Sequence, residues 1–457
     1  MQLYSEGKSY KLYQGNMLDM LDVLEPNSID AIVTDPPYEL GFMAKSWDKS
    51  GIAFQKETWE KCFQVLKPGG HLLAFGASRN FHRVACAIED VGFEIRDTIM
   101  WLYGSGMPKS LNIGLAIDKK NGVESEVIGI SNNGAGASPL KLNNHEHGDT
   151  GIGMMDGSGR TFEIKKAQNE WDGWGTSLKP AYESIVISRK PCEGSTTDNV
   201  LKYGVGGINI DECRIPLEDD YEFKETKRHA RECNVFTGDN CGFDSENNTT
   251  ASASPLGRFP SNVILTYDET DFEEVCGGMP DTKGGERHNT AIRQGVKNSG
   301  YDYDINVRNE YADEGSAARY FYCAKASGRD RDEGLDDFEE KAPATTEYGP
   351  FLMREFEDGN TDKHNDFLRL KPKRNIHPSV KPVDLMSYLV RLVTPKGGTV
   401  LDPFNGSGST GKAVAYENFD READYKYIGI ELSEEYLAIS DARIKFVENK
   451  TKQIKLF

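Results

Sequence analysis

Apolar positions alternate between two periods at both ends of the chain. Tyr10 to Tyr13, Ile29 to Thr34, His71 to Phe75 and Phe93 to Tyr103 are short apolar or β-branched runs, which predict buried strands. Between them, Asn16 to Leu24, Ala53 to Leu66 and Arg79 to Val91 repeat their apolar residues at helical spacing. Met17, Leu18, Leu21 and Leu24 share one face of the first. Lys67-Pro68-Gly69-Gly70 and Gly92 supply the stops. The alternation resumes near the end, with a helix over Val383 to Val393 and a strand over Thr399 to Leu401. A glycine turn then enters a helix running to about Asn418. A strand over Tyr427 to Ile430 and a final helix capped by Ser433 follow. Glu183 to Arg189 also reads as a strand. It follows an insertion, not a crossover helix, so antiparallel pairing with Phe93 to Tyr103 is expected. The pattern predicts an α/β fold with one seven-stranded, mostly parallel sheet assembled from both ends of the chain.

The segments between divide the chain further. Residues 1–103 form one half of the sheet domain, and 104–172 form a loop-rich insertion holding the polar stretch Ser131 to Arg160. Residues 173–191 carry the strand that returns to the sheet, and 192–370 form a large insertion, polar and rich in glycine. Residues 371–457 form the other half. Short strands such as Val263 to Tyr267 are expected inside the large insertion.

Composition narrows the class. The chain has 457 residues, of which 37% are hydrophobic, enough for two or three cores. No apolar run reaches membrane-spanning length and the N-terminus lacks an apolar signal region, so a cytoplasmic protein is expected. The 8 cysteines are scattered without a Cys-x-x-Cys pair, which favours reduced thiols over a disulfide framework. His229, Cys233 and Cys241 lie close in sequence, but their spacing fits no familiar zinc pattern. The net charge of -19 argues against a nucleic-acid partner, yet the charge is uneven. Residues 331–360 hold ten acids and three bases, whereas 361–400 hold eight bases and three acids. Arg369, Lys371, Lys373 and Arg374 concentrate positive charge at the junction and are candidates for phosphate contact.

Two stretches carry chemistry. Asp35-Pro36-Pro37-Tyr38 ends the strand Ile29 to Thr34. Two prolines stiffen the loop and remove backbone donors. A carboxylate, a proline carbonyl and an aromatic ring are thereby grouped at the carboxyl end of a strand, where open α/β sheets bind ligands. Asp35 and the Pro36 carbonyl can each accept one hydrogen bond while Tyr38 stacks, which suits the exocyclic amine of a nucleic-acid base. A strand followed by a plain proline turn is the bland alternative.

The second stretch is Asp402-Pro403-Phe404-Asn405-Gly406-Ser407-Gly408-Ser409-Thr410. Gly406, Gly411 and Lys412 match most of a phosphate-binding P-loop, but Ala413 stands where Ser or Thr should hold Mg²⁺. Asp402 would repel a phosphate and attract an ammonium, and Glu431 at the tip of the next strand suits a ribose diol. S-adenosylmethionine carries both groups. A nucleoside triphosphate, in a P-loop-like ATPase, and a purely structural turn remain open at this point.

The order of these motifs resembles the β class of DNA amino-methyltransferases, which methylate the N6 amine of adenine or the N4 amine of cytosine. Asp35 to Tyr38 match that family's catalytic motif, His377-Pro378-Ser379-Val380-Lys381-Pro382 the motif before the cofactor strand, Asp402 to Gly408 the cofactor loop and Glu431 the ribose acid. Gly175 to Glu183 resembles the segment that re-enters the sheet. The likeness covers residues 10–103, 173–191 and 377–447 and implies a Rossmann-like methyltransferase sheet, with the large insertion as target-recognition domain. It implies Asp35, Pro36, Pro37 and Tyr38 as catalytic residues. It also implies Asn16, Ser379, Lys381, Asp402, Pro403, Phe404, Asn405, Gly406, Gly408 and Glu431 around S-adenosylmethionine. The family often has Gly-Asp where this chain has Gly15-Asn16, with Asp19 a substitute. Double-stranded DNA is the implied partner, a homodimer is a candidate assembly and no metal is required. A bacterial or phage-encoded enzyme of site-specific restriction-modification type, acting on a flipped base, is expected. Asp at the first motif position favours adenine over cytosine. A dead DNA-binding protein is disfavoured by the intact motif. Glu222-Phe223-Lys224 is a minimal nuclease-like triplet, read here as surface charge.

Overall fold

The computed structural model describes residues 2–40, 48, 50–103, 110–132, 161–216, 256–267, 281–282, 285–286, 310–311, 315–316, 321–325, 328–341 and 373–454. The metal-spacing trio His229, Cys233 and Cys241, the triplet Glu222 to Lys224, and Arg369 and Lys371 lie outside them. The chain divides into two compact units, one of residues 1–212, 262–271 and 323–457, the other of 213–261 and 272–322. In the second, Ile215 and Arg258 pair through both backbone groups, and short two-residue strands pair as Asp281–Thr282 with Gly315–Ser316 and as Gly285–Glu286 with Glu310–Tyr311.

The first unit is built on a sheet of ten strands among the described residues. They are β1 (Gln2–Glu6), β2 (Tyr10–Gln14), β3 (Ile29–Thr34), β4 (Leu66–Ala77), β5 (Glu94–Tyr103), β6 (Tyr182–Arg189), β7 (Val263–Tyr267), β8 (Tyr322–Lys325), β9 (Thr399–Asp402) and β10 (Lys426–Glu431). Their order across the sheet is β1-β2-β10-β9-β3-β4-β6-β5-β7-β8. From β2 to β4 every pairing is parallel. β6 then runs antiparallel to both β4 and β5, as its position after an insertion leads one to expect. All-parallel strands must be covered on both faces, and every residue of β3 is buried.

Ten strands replace the expected seven. β1 is added because Gly7 closes a tight turn that folds it back on β2, and β7 lies parallel to β5, held by Trp101 Nε1 donating to Thr266 Oγ1 at 2.7 Å. β7 and β8 come from within residues 192–370. Lys67-Pro68-Gly69-Gly70 is not the turn expected from its composition. It is the first part of β4, because Lys190 and Gly69–Gly70 exchange backbone hydrogen bonds that carry the pairing with β6 one step further. The loop-rich stretch after β5 contains a helix, Ile113–Asn121, and an antiparallel hairpin of Glu126–Asn132 with Thr161–Lys166.

Helices α1 (Met17–Leu21), α2 (Lys56–Val65) and α3 (Phe81–Glu89) seal one core, in which Trp59, Cys62 and Val65 of α2 meet Ile32, Leu72 and Leu401 of the sheet. α4 (Val383–Val393), α5 (Ser409–Asp420) and α6 (Glu434–Ile454) come from the last part of the chain. No helix of the described residues is long and apolar enough to cross a membrane. Two side-chain staples bind β3 to β9. At one end Asp30 accepts from the Thr399 backbone at 2.8 Å and from Lys67 at 2.6 Å; at the other, Thr34 Oγ1 donates to Asp402 at 2.7 Å. Strands 368 residues apart in sequence are therefore aligned at the edge where their loops begin.

Trp59 is fully buried and its indole N–H donates to the Ala53 carbonyl at 3.0 Å. Trp59→Ala should cost about 3–5 kcal/mol of stability, seen as a lower denaturation midpoint. A loss under about 1 kcal/mol would show that this core tolerates the void.

Candidate active site

The carboxyl ends of β2, β10, β9, β3 and β4 lie along one edge, the place where open parallel sheets hold ligands. A cavity of about 1610 Å³ opens there, lined by residues of both motifs, among them Asp35, Tyr38, Asp402, Phe404 and Glu431. Small-molecule sites usually measure ~300–1,000 Å³, so this one has room for two ligand groups side by side.

Asp35 leaves β3 at its tip. Its Oδ2 accepts from Lys381 Nζ at 2.6 Å, and its Oδ1 is buried with no hydrogen-bond partner among the described residues. Burial pushes the Asp35 carboxyl above its ordinary range, and the Lys381 ammonium opposes that shift. For Lys381, burial alone would favour the neutral amine. The charges of Asp35 and Glu183, with their hydrogen bonds, outweigh it and hold the ammonium above its usual value. Tyr38 donates its hydroxyl to Glu183 Oε2, while Asn80 donates its amide to the Tyr38 carbonyl and so fixes the loop. Burial and the facing carboxylates of Asp35 and Glu183 raise the Tyr38 hydroxyl well above 10.0, so it stays a donor.

The glycine loop between β9 and α5 is shaped from within. Asp402 is 2% exposed, and its oxygens accept from Thr34 Oγ1 (2.7 Å), Thr410 Oγ1 (2.7 Å) and the Phe404 backbone (3.1 Å). Asp402 lines the cavity, and its hydrogen bonds with Thr34 of β3 and with Phe404 and Thr410 also set the loop's shape. Pro403 and Phe404 follow as cavity lining. Asn405 is buried; its Oδ1 accepts from Tyr427 and Ser440, and its backbone N–H donates to Ile430. Gly406 and Gly408 have φ of 53° and 77°, a region that side chains rarely adopt, and a Cβ on Gly408 would stand 2.2 Å from Ser440 Oγ. Behind the loop, Arg443 is fully buried and donates to the Ser407 carbonyl and to the Ser407 and Ser409 hydroxyls.

Glu431 ends β10. Its two oxygens accept from the Gly406 and Ser433 backbones at 2.8 and 2.9 Å, and burial raises its pKa. A carboxylate offers about four lone-pair directions, so acceptor capacity remains beyond these backbone contacts. Asn16 caps α1 by accepting from Leu18 N, and lines the cavity beside Glu431. Ser379 also lines the cavity, with its hydroxyl 3.3 Å from Lys381 Nζ. Lys381, expected on the cofactor side, faces Asp35, Glu183 and Ser379.

The P-loop alternative fails on Lys412. This side chain is fully buried and paired with Glu333 at 2.8 Å and Asp330 at 3.5 Å, not offered to the loop. Of the basic junction, Lys373 exchanges backbone hydrogen bonds with Lys341, and Arg374 lies 3.5 Å from Asp336 and 3.6 Å from Glu340. Among the described residues no cluster of His, Cys, Asp or Glu has metal-binding geometry. Glu183, Asn80 and Arg443 were not singled out from sequence as site residues. Glu183 was detectable only as the acid at the start of the returning strand; Asn80 and Arg443 carry no local signal.

The family model described as DNA methylase, N6_N4_Mtase, matches residues 29–126 and 178–442. The type II methyltransferase M.HpaI of Haemophilus parainfluenzae is 34% identical over 106 residues, 22% of this chain and 34% of that protein. The type II methyltransferase M2.MboI of Moraxella bovis is 30% identical over 115 residues, 21% of this chain and 42% of that protein. The chain thus spans well under half the length of these curated relatives. Among solved structures, PvuII DNA methyltransferase (cytosine-N4-specific) aligns over 99% of this chain and 97% of its own, with 12% identity and a TM-score of 0.40. The M1.HpyAVI–SAM complex aligns over 95% and 99%, with 13% identity and a TM-score of 0.34.

Burial holds the Asp402 carboxyl at about 6, against an ordinary 3.8, despite its hydrogen bonds. A carboxyl whose folded pKa is raised binds its proton more tightly in the native state. Its contribution is most favourable below pH 4 and declines as pH rises to 6. Asp402→Asn removes that decline. The stability difference between variant and wild type should therefore move in the variant's favour by up to about 3 kcal/mol between pH 4 and 6, read from paired thermal melts. No movement, or movement the other way, would contradict the buried carboxylate.

Proposed function

Because the chain belongs to the N6_N4_Mtase family of DNA methylases, we propose that it methylates the exocyclic N6 amine of adenine in a base flipped out of double-stranded DNA, using S-adenosylmethionine. The observation that carries this reading is the Thr34–Asp402 hydrogen bond. It sets the tip of β3, with its amine-acceptor loop, beside the tip of β9, with its glycine loop, over one cavity.

The donor set suits the cofactor. Glu431 has acceptor capacity left for the ribose hydroxyls, Asn16 lies beside it, and Phe404 offers a ring to the adenine. Gly406 and Gly408 pack against His377 and Ser440, where a Cβ would crowd, and so hold the loop in its shape. When bound, S-adenosylmethionine supplies a methyl group on a positively charged sulfur.

The remaining steps fall to this chain's own residues. A stacked base cannot reach the cavity, so extrusion costs a few kcal/mol. Tyr38, fixed by Glu183 and Asn80, stacks on the extruded ring. Asp35 and the Pro36 carbonyl accept the two amine hydrogens, which draws the nitrogen towards tetrahedral geometry and frees its lone pair. These contacts strengthen as the bond forms, so they act on the transition state. Alignment is the main contribution, since no covalent enzyme intermediate is required. Burial leaves Asp35 more basic than a free carboxyl, which suits it to take the proton that the alkylated nitrogen sheds.

Adenine is favoured over cytosine because Asp, not Ser, stands at position 35; the hydrogen-bond chemistry itself serves either amine. Incubation of labelled cofactor with mixed-sequence DNA, followed by nucleoside analysis, should yield N6-methyladenine. N4-methylcytosine as sole product would overturn the base assignment. Asp35→Ala should abolish transfer while calorimetry still detects cofactor binding, whereas Asp402→Ala should weaken cofactor binding first. Loss of cofactor binding in folded Asp35→Ala would reverse these roles. Replacing Lys371, Lys373 and Arg374 with Ala should weaken specific and non-specific DNA alike. It should also flatten the salt dependence by roughly 0.9 log units per lost phosphate contact. An unchanged slope would move the DNA-binding face elsewhere.

A further inference from the structure

Resting on the amine-methylation reading, we propose that Glu183 is a positioning residue that receives the Lys381 ammonium when the target amine takes its place on Asp35. Three groups meet at this point from three distant segments. Lys381 Nζ is 2.6 Å from Asp35 Oδ2 and 3.5 Å from Glu183 Oε2, and its side chain is 6% exposed. The same ammonium lies 5.1 Å from the centroid of the Tyr38 ring and 5.1 Å from that of Phe75. One side chain therefore covers both the carboxylate and the ring that a base must use.

A neutral amine brings no charge with it. If it displaces Lys381, a buried ammonium must find another anion or leave the protein interior, and an uncompensated buried charge is costly. Glu183 is the nearest other carboxylate, needing a shift of under an ångström to reach hydrogen-bond distance. It is held in place, at the start of β6, by Tyr38 donating to Oε2 and Tyr103 donating to Oε1 at 3.4 Å. The Lys381 ammonium then stays near enough to keep Asp35 ionised while the Asp35 oxygens face the amine.

Glu183→Gln keeps the side chain's size and removes the second anion. Lys381 then stays on Asp35 and competes with the amine. Methyl transfer should fall in kcat by on the order of 10- to 100-fold, with calorimetric cofactor affinity and melting temperature near those of the wild type. Glu183→Asp, which keeps the charge, should recover most of the loss. In a Lys381→Gln background, Glu183→Gln should cost less than about threefold further, because its effect runs through the ammonium. Equal losses in both backgrounds, unaffected turnover, or equal loss of cofactor affinity would overturn the inference. Wild-type protein in the same assay reports on the proposed activity: transfer by the wild type with an indifferent Glu183→Gln sinks only the role of Glu183, and absence of wild-type transfer sinks both.

Discussion

The ammonium of Lys381, 2.6 Å from the Asp35 carboxylate, closes a circuit between the first and last parts of the chain. Each group alone would resist its burial: the carboxyl would take up a proton and the ammonium would lose one. They face each other at the tip of a strand, beside a cavity, where each offsets part of the cost of burying the other. The contact works only if β3 and β9 are neighbours in register, and the sheet supplies that through Val400 opposite Ala31 and Leu401 opposite Ile32. Asp30 and Thr34 staple the two strands above and below those pairs.

From this alignment the rest of the site follows. The β9 tip turns at once into the glycine loop, which has room only for bare backbone at Gly408 and is held from beneath by Arg443. The β10 tip brings Glu431 to that loop's amides. The β6 start, reached only because this strand runs antiparallel, brings Glu183 to the other side of Asp35 and Tyr38. Parallel strands thus present Asp35, Asp402 and Glu431 at one edge, and the reversed strand β6 adds Glu183 beside Asp35.

Much of this was legible in the sequence because its signals are local. Ile29 to Tyr38 contains a strand, a stop and the acceptor groups in one run, and Asp402 to Gly408 likewise joins a strand end to its loop. Val383–Val393 was bounded correctly by its helical periodicity. What was not legible depends on distant partners. Gly69 and Gly70 look like a turn until Lys190 is known to lie beside them. Lys412 resembles a phosphate-binding lysine until Glu333 and Asp330 are seen to bury it. Asp402 looks like a free carboxylate until two threonines, one of them 368 residues earlier, bind its oxygens.

The central claim is that one ion pair couples the loop after β3 to the last part of the chain, and a double-mutant cycle on stability tests it directly. Asp35→Asn, Lys381→Met and the pair of substitutions together are each unfolded in denaturant at pH 7. The single substitutions should each destabilise the protein, Lys381→Met the more because it strands a carboxylate near Glu183. The double variant should be more stable than their sum by about 1–3 kcal/mol, a range set below that of a fully buried pair because Asp35 retains 21% exposure. Strict additivity would show that Lys381 and Asp35 do not hold the two halves of the chain to each other.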